Sequence, residues 1–257
     1  MIEFREDKKS KKKIVYISIG IFIAIIVVTL IAIQLLKYQV EGEKNLPFEI
    51  TDMLIVSTGD GIGNEDVENR WNLVVLQNND IYIEIKERED ENRKEHLKSV
   101  TLQNFNISNG PQKGEPKIYH PVNDKDLIYL YKDENLVQDK IEYNVASKNN
   151  IKKLELGPDG GILSFSSCST NVAYYISNED TEMKYDATLL NKVGISEEQL
   201  KYQINFDIIV EMESNKKYKA TITLDLPLSN LLSEGTVQEE KTDFSNIIFK
   251  RLYNYFI

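Results

Sequence analysis

A run of 23 residues without a charged side chain, residues 14–36, restricts the structure of this chain more than any other feature. As an α-helix it would be about 35 Å long, which is enough to cross a hydrocarbon core of about 30 Å. In lipid the backbone groups of a lone segment must pair internally, so the run has to be helical despite its many Ile and Val residues. It therefore predicts a transmembrane helix.

The charges that flank this run predict its orientation. Six basic residues precede it, among them Lys11, Lys12 and Lys13, and only Lys37 follows closely. By the positive-inside rule, residues 1–13 form a cytoplasmic basic tail, and the C-terminal part of the chain lies outside the cell membrane. The three lysines are also expected to contact anionic headgroups of the lipid bilayer.

A cleavable signal peptide is the main alternative to an uncleaved signal-anchor. Its apolar region would span about 7–15 residues and would be followed by a pair of small residues at the cleavage site. The run here is longer, and residues 34–42 contain no such pair. We therefore expect a retained helix at 14–36, a polar stalk at 37–46 and an external domain at 47–257.

Composition excludes several functions for the external part of the chain. The formal net charge of −10 argues against a nucleic-acid partner, because nucleic-acid-binding proteins carry basic patches. One cysteine excludes an intramolecular disulfide framework and every multi-cysteine zinc pattern. Two histidines leave little room for histidine-based catalysis.

Alternating apolar and polar residues after Pro47 predict a mainly β domain. Turn residues separate the runs, so we expect an antiparallel β-sandwich-like fold with one or two short helices between 186 and 200. Two tandem sandwiches divided near 110–116, or a more open α+β arrangement, remain alternatives. The predicted strands are 48–57, 71–76, 81–86, 97–107, 117–119, 127–131, 141–145, 151–156, 162–167, 172–176, 202–212, 218–226 and 246–252.

Three turns are predicted from local chemistry. The clearest is the polar segment 214–217, which joins strands 202–212 and 218–226 into a hairpin with one apolar face on each strand. Asn78-Asn-Asp80 predicts a turn between strands 71–76 and 81–86, and Pro158-Asp-Gly-Gly161 predicts a third.

The segment that starts at Asp60 is the best candidate for a metal site. Asp60, Asn64, Asp66 and Glu68 place oxygen ligands at alternating positions with glycines between them, which suits calcium. The string Asp60-Gly-Ile-Gly-Asn64 is similar to half of the calcium loops in thrombospondin type 3 repeats, although residues 56–58 lack the acidic residues of those loops. The alternative is a glycine-containing loop between two strands.

Candidate catalytic groups are few. Cys168 would need a nearby base to act as a nucleophile, and neither His96, in a charged loop, nor His120 has a recognisable catalytic context. No motif selects a carboxylate pair for hydrolysis. Exposed tyrosines could bind a glycan, but tyrosines at strand spacing are mostly cross-strand packing residues. The apolar C-terminus, 247–257, is either a last strand within a sheet or an exposed edge for a partner strand.

Several ordered strings resemble those of a group of uncharacterised single-pass membrane proteins of low-GC Gram-positive bacteria. The strings are Asn69-Arg-Trp-Asn-Leu73, Gln77-Asn-Asn-Asp-Ile-Tyr-Ile83, Asn104-Phe-Asn-Ile107, Gly114-Glu-Pro-Lys-Ile-Tyr119 and Tyr218-Lys-Ala-Thr-Ile-Thr-Leu-Asp-Leu-Pro227. The resemblance covers most of the external domain and implies a bacterial origin and a membrane-anchored topology, but no activity.

These observations together predict a non-enzymatic envelope protein that acts as a structural or protein-interaction module. Its expected partners are the lipid bilayer and another envelope protein, and no small-molecule cofactor is expected. A calcium- or glycan-binding surface module is the alternative, and an envelope hydrolase or transpeptidase is a third interpretation.

Overall fold

The computed structural model describes residues 3–65, 71–88, 95–122, 128–145, 154–177 and 188–253. The chain divides into two compact units, Met1–Lys44 and Asn45–Ile257. The first contains one helix, α1 (Glu3–Glu41), whose part Tyr16–Glu41 is long and apolar enough to cross a membrane and buries none of its most apolar stretch in the protein. The helix extends into the predicted stalk and ends where Gly42, at φ 68°, donates its N–H to Tyr38 O.

The second unit consists mainly of strands. They are β1 (Phe48–Glu65), β2 (Trp71–Glu87), β3 (Leu97–Ser108), β4 (Glu115–Tyr119), β5 (Lys140–Asn144), β6 (Leu156–Gly157), β7 (Gly160–Ile176), β8 (Tyr202–Met212), β9 (Lys217–Leu226), β10 (Thr236–Lys241) and β11 (Lys250–Leu252). In the described ranges its short helices are α2 (Leu189–Lys192), α3 (Glu197–Leu200) and α4 (Leu231–Glu234), and Asp133–Asn135 form a 3-10 turn. The first two helices lie in the predicted region, and α4 is additional.

The strands form two antiparallel sheets. Sheet 1 has the order β10-β1-β2-β7-β4, with β6 also paired to β7, and sheet 2 has the order β11-β9-β8-β3-β5. This confirms the mainly β, sandwich-like prediction. The predicted hairpin is β8–β9, paired from Tyr202 opposite Leu226 to Glu211 opposite Lys217. The segment at 110–116 connects strands within one unit, and β11 pairs with β9 at the edge of sheet 2.

The main hydrophobic core lies between the two sheets. Phe165 of β7 and Phe206 of β8 pack edge to face with ring centroids 5.1 Å apart. Alternation along β2 buries Ile81, Ile83 and Ile85 in this core. A second, smaller core lies at the opposite end of β2, and its members are Leu73, Val75, Val172, Leu189, Leu190, Ile195, Leu200 and Leu231.

The predicted turn at Asn78-Asn-Asp80 is wrong. Residues 71–87 form the single strand β2, because β1 pairs along one edge and β7 along the other. The buried Asn78 and Asn79 side chains are satisfied by hydrogen bonds within the sandwich rather than by water. The strands predicted at 162–167 and 172–176 are likewise one strand, β7, whereas the Pro158–Gly161 turn is confirmed between β6 and β7.

Candidate functional site

The predicted calcium segment lies largely in a strand rather than in a loop. Asp60 is part of β1, opposite Leu76 of β2, and its Oδ1 accepts the Gly61 N–H at 2.6 Å. Burial raises the pKa of Asp60, and the Gly61 N–H opposes this rise. The backbone of Asn64 also lies in β1, while Asp66 and Glu68 lie outside the described residues. Calcium binding by these four residues therefore stays a prediction.

The glycines of this segment serve packing. A Cβ atom at Gly59 would lie 2.7 Å from Leu190 Cδ1, and one at Gly61 would lie 2.8 Å from Leu189 Cδ2. Both distances are too short for a real contact, so the absence of side chains at these positions allows α2 to pack against β1. A Cβ atom at Gly63 would lie too close to the backbone oxygen of Asn72 in β2, so packing accounts for this glycine as well.

Cys168 is a core residue. Its side chain is fully buried and packs with Leu76 and Tyr119 on the face of sheet 1 that is turned away from sheet 2. Burial raises the pKa of its thiol, and the negative charges of Asp80 and Asp60 raise it further. A thiol that stays protonated is a poor nucleophile.

A layer of buried polar side chains separates the two cores of the sandwich. The Asn79 Nδ2 donates to Tyr202 Oη at 2.8 Å, and the Ser167 and Tyr202 hydroxyls are 2.7 Å apart. The Ser57 hydroxyl donates to Asn79 Oδ1 at 2.6 Å, and Gln77 exchanges amide hydrogen bonds with Asn79. The layer joins β1, β2 and β7 of sheet 1 to β8 of sheet 2.

Three side chains of types that can bind a metal ion lie close together where three separate segments of the chain meet. Glu87 ends β2, His96 directly precedes β3, and Asp159 lies in the β6–β7 turn. His96 Nδ1 is 3.0 Å from Glu87 Oε2 and 3.3 Å from Asp159 Oδ1, and one ligand atom from each residue lies within 4.8 Å of the others. The side chains are 12% exposed at Glu87, 37% at His96 and 82% at Asp159.

Backbone hydrogen bonds fix the three segments of this cluster relative to one another. The Glu87 N–H donates to Asp159 O at 2.9 Å, and the Leu97 N–H donates to Pro158 O at the same distance. The Glu213 N–H donates to His96 O at 2.9 Å, which ties His96 to the β8–β9 turn. The cluster thus rests on strand ends and tight turns.

An open cleft of about 560 Å³ lies beside the start of β8 and the end of β9. Two pairs of polar side chains in its wall contact each other. Gln203 Nε2 donates to Asp225 Oδ1 at 3.0 Å, and Lys241 Nζ is 3.6 Å from Glu239 Oε1.

Apolar side chains form an exposed row across sheet 1, which we call the outer row. Ile62 of β1 lies opposite Val74 of β2, which in turn lies opposite Tyr174 of β7, and Ile176 follows two residues later. Ile62 is 55% exposed, Tyr174 69% and Ile176 59%. Adjacent exposed apolar groups of this kind commonly mark a contact surface.

The structure describes only in part the three lysines that are predicted to orient the helix in the membrane. Lys11, Lys12 and Lys13 all lie in α1, and the side chain of Lys13 is exposed.

Sequence reasoning missed the Glu87–His96–Asp159 cluster. It assigned His96 to a solvated charged loop and Asp159 to a turn, and no spacing motif connects residues that meet only through sheet pairing. No family model, curated protein or solved structure matches this chain. The resemblance to single-pass membrane proteins of Gram-positive bacteria therefore stays a prediction.

Proposed function

We propose that this protein is a non-enzymatic, membrane-anchored module of a bacterial cell envelope. In this proposal the apolar part of α1 spans the membrane with residues 1–13 in the cytoplasm, and the β-sandwich contacts another envelope protein on the outside. The observation that carries the proposal is the combination of a helix with exposed apolar side chains and a second unit with its own hydrophobic cores. An exposed apolar helix of this length needs lipid around it.

The outer row supports the interaction role. Its side chains lie on three neighbouring strands of a rigid sheet, which gives a partner a fixed apolar surface. The buried state of Cys168 supports the non-enzymatic part of the proposal, because a thiol without solvent access cannot attack a substrate.

The first experiment tests topology. Single cysteines are introduced as Ser10→Cys, before the apolar run of α1, and as Ser233→Cys, an exposed position of α4, with Cys168 retained because it is buried. A membrane-impermeant maleimide is expected to label Ser233→Cys in intact cells and Ser10→Cys only after permeabilisation. Replacing Lys11, Lys12 and Lys13 by Gln should reduce the correctly oriented fraction. The reverse labelling pattern, or a mature chain that begins after residue 36, would contradict the proposal.

The second arm tests the interaction role in native membranes. A photo-reactive amino acid at Tyr174 is expected to give a defined protein adduct, whereas one at Glu213, an exposed residue at the β8–β9 turn, should not. Ile62→Lys should lower the Tyr174 adduct yield, because it places a charge within the outer row. Equal adducts at both positions, or an adduct unaffected by Ile62→Lys, would show that the outer row is not the contact surface.

A further inference from the structure

We propose that Glu87, His96 and Asp159 bind a first-row transition-metal dication such as Zn²⁺. The ligands are Nδ1 of His96 and one carboxylate oxygen from each of the other two residues. This site is distinct from the predicted calcium segment, and it does not depend on the proposed membrane topology.

Two of the three distances between the ligand atoms match a coordination shell. Zinc lies about 2.1 Å from nitrogen and oxygen ligands, so two ligands of one ion are about 3.0 Å apart at the octahedral angle and about 3.4 Å apart at the tetrahedral angle. The two distances from His96 Nδ1, 3.0 and 3.3 Å, fall in this range. The third pair, from Glu87 and Asp159, lies within 4.8 Å, and the exposed Asp159 side chain has room to adjust toward an ion.

The low exposure of the Glu87 carboxylate favours the binding of a cation at this site. Its side chain is 12% exposed, and in the described part of the chain its one cationic partner is His96, which is charged only when protonated. A carboxylate that is largely removed from water is destabilised when no cation is near. The nearest basic residues along the chain are engaged elsewhere, since Lys86 pairs with Glu84 and Arg88 with Glu49.

The ligand set selects the class of metal. Calcium and magnesium prefer shells made only of oxygen, whereas an imidazole nitrogen favours zinc, cobalt, nickel or copper. The protein supplies three ligands, and the 82% exposure of Asp159 leaves water access for the remaining positions. Three protein ligands with an open position are typical of zinc sites that can accept an external ligand.

Isothermal titration calorimetry with zinc chloride tests the proposal directly. The full chain is used in detergent micelles, without a polyhistidine tag and after removal of metals. We expect one zinc per chain. We also expect His96→Ala and Asp159→Asn to weaken zinc binding at least about tenfold. Even the loss of a residue that hydrogen-bonds a metal ligand lowers metal affinity about 10- to 100-fold, and these two residues are ligands themselves. Asp159→Asn is the more informative variant, because an exposed turn residue can be replaced with little effect on folding.

Matched controls come from the chain itself. His120→Ala removes the only other histidine, and Asp139→Asn removes another exposed carboxylate, so both should bind zinc like the original protein. With isotope-labelled histidine, zinc should shift the NMR signals of His96 and leave those of His120 in place. The proposal is wrong if Asp159→Asn binds as tightly as the original chain, if calcium competes equally, or if no saturable binding occurs below about 1 mM zinc.

Discussion

Tyr202 connects the two sheets through its hydroxyl group rather than through its ring alone. The hydroxyl lies among Asn79 and Ser167 of sheet 1, and all three residues are almost fully buried. Buried polar groups destabilise a fold unless they are paired. A shift of β2 by one residue would turn Asn79 to the other face and leave the Tyr202 hydroxyl unpaired. The polar layer therefore specifies the register of β2.

Tyr202→Phe tests this role. The variant keeps the ring but removes one hydrogen-bond partner of the Asn79 amide and the Tyr202 partner of the Ser167 hydroxyl, so we expect the free energy of unfolding to fall by about 1–3 kcal/mol. The measurement is urea denaturation followed by the fluorescence of Trp71, the only tryptophan, which borders the second core. Tyr174→Phe, on the exposed outer row, should change stability by less than about 0.5 kcal/mol. Equal effects of the two variants would rule out a specific role for the layer.

This layer also shows the limit of prediction at the residue scale. Asn78, Asn79 and Asp80 have the local chemistry of a turn, and nothing in these three residues indicates that the flanking strands are continuous. Their partners are distant along the chain, since Ser166 bonds Asn78 and Tyr202 bonds Asn79. The cluster of Glu87, His96 and Asp159 could not be predicted for the same reason, because its members are distant along the chain.

At the scale of elements, the contact between α2 and β1 depends on glycines of β1, which have no side chain. Leu190 is fully buried, and its Cδ1 atom would lie 2.7 Å from a Cβ atom added at Gly59. A helix of four residues has little stability of its own, so its position depends on such packing. The glycines of β1 therefore determine where α2 closes the second core.

Gly59→Ala should displace α2. The added methyl group would lie 2.7 Å from Leu190 Cδ1, and overpacking of this kind costs about 1–3 kcal/mol of unfolding free energy. In a Leu190→Ala background the same substitution should cost less, because the side chain that clashes has been shortened. Gly110→Ala is the matched control, since no atom lies within 4 Å of its added Cβ atom. Additive effects of Gly59→Ala and Leu190→Ala in denaturation experiments would contradict a direct clash.

The elements differ in how well they could be predicted. The β8–β9 hairpin was predicted because its strands alternate without interruption around a polar turn. The continuation of β1 beyond Ser57 was missed, because glycine and aspartate are uncommon inside strands. In the structure those residues are allowed by close packing against α2 and by the long pairing with β2.

At the scale of the whole molecule, the apolar helix was predictable from a single segment, because its pattern lies along one continuous stretch of chain. The sandwich required pairings between distant strands, so its class was predictable and its strand order was not.

The assembled domain also removes several tyrosine hydroxyl groups from water. These tyrosines come from both sheets and from the connecting segments. Burial raises the pKa of Tyr82, Tyr119 and Tyr143 to about 12 each, and it also raises the pKa of Tyr129 and Tyr202.

The raised phenol pKa values predict a loss of stability at alkaline pH. Since the unfolded chain releases phenol protons near pH 10 and the folded chain retains them, the stabilisation is complete below about pH 10 and is lost as the pH rises toward 12. Over this window each buried phenol should lower the free energy of unfolding by about 1.4 kcal/mol per pH unit. Tyr143 is 5% exposed and its hydroxyl bonds Ser164 O, so Tyr143→Phe should reduce the slope by about that amount, whatever its effect on stability at neutral pH. Urea denaturation at several alkaline pH values measures the slope, and an identical slope in Tyr143→Phe would show that this phenol does not retain its proton in the folded state.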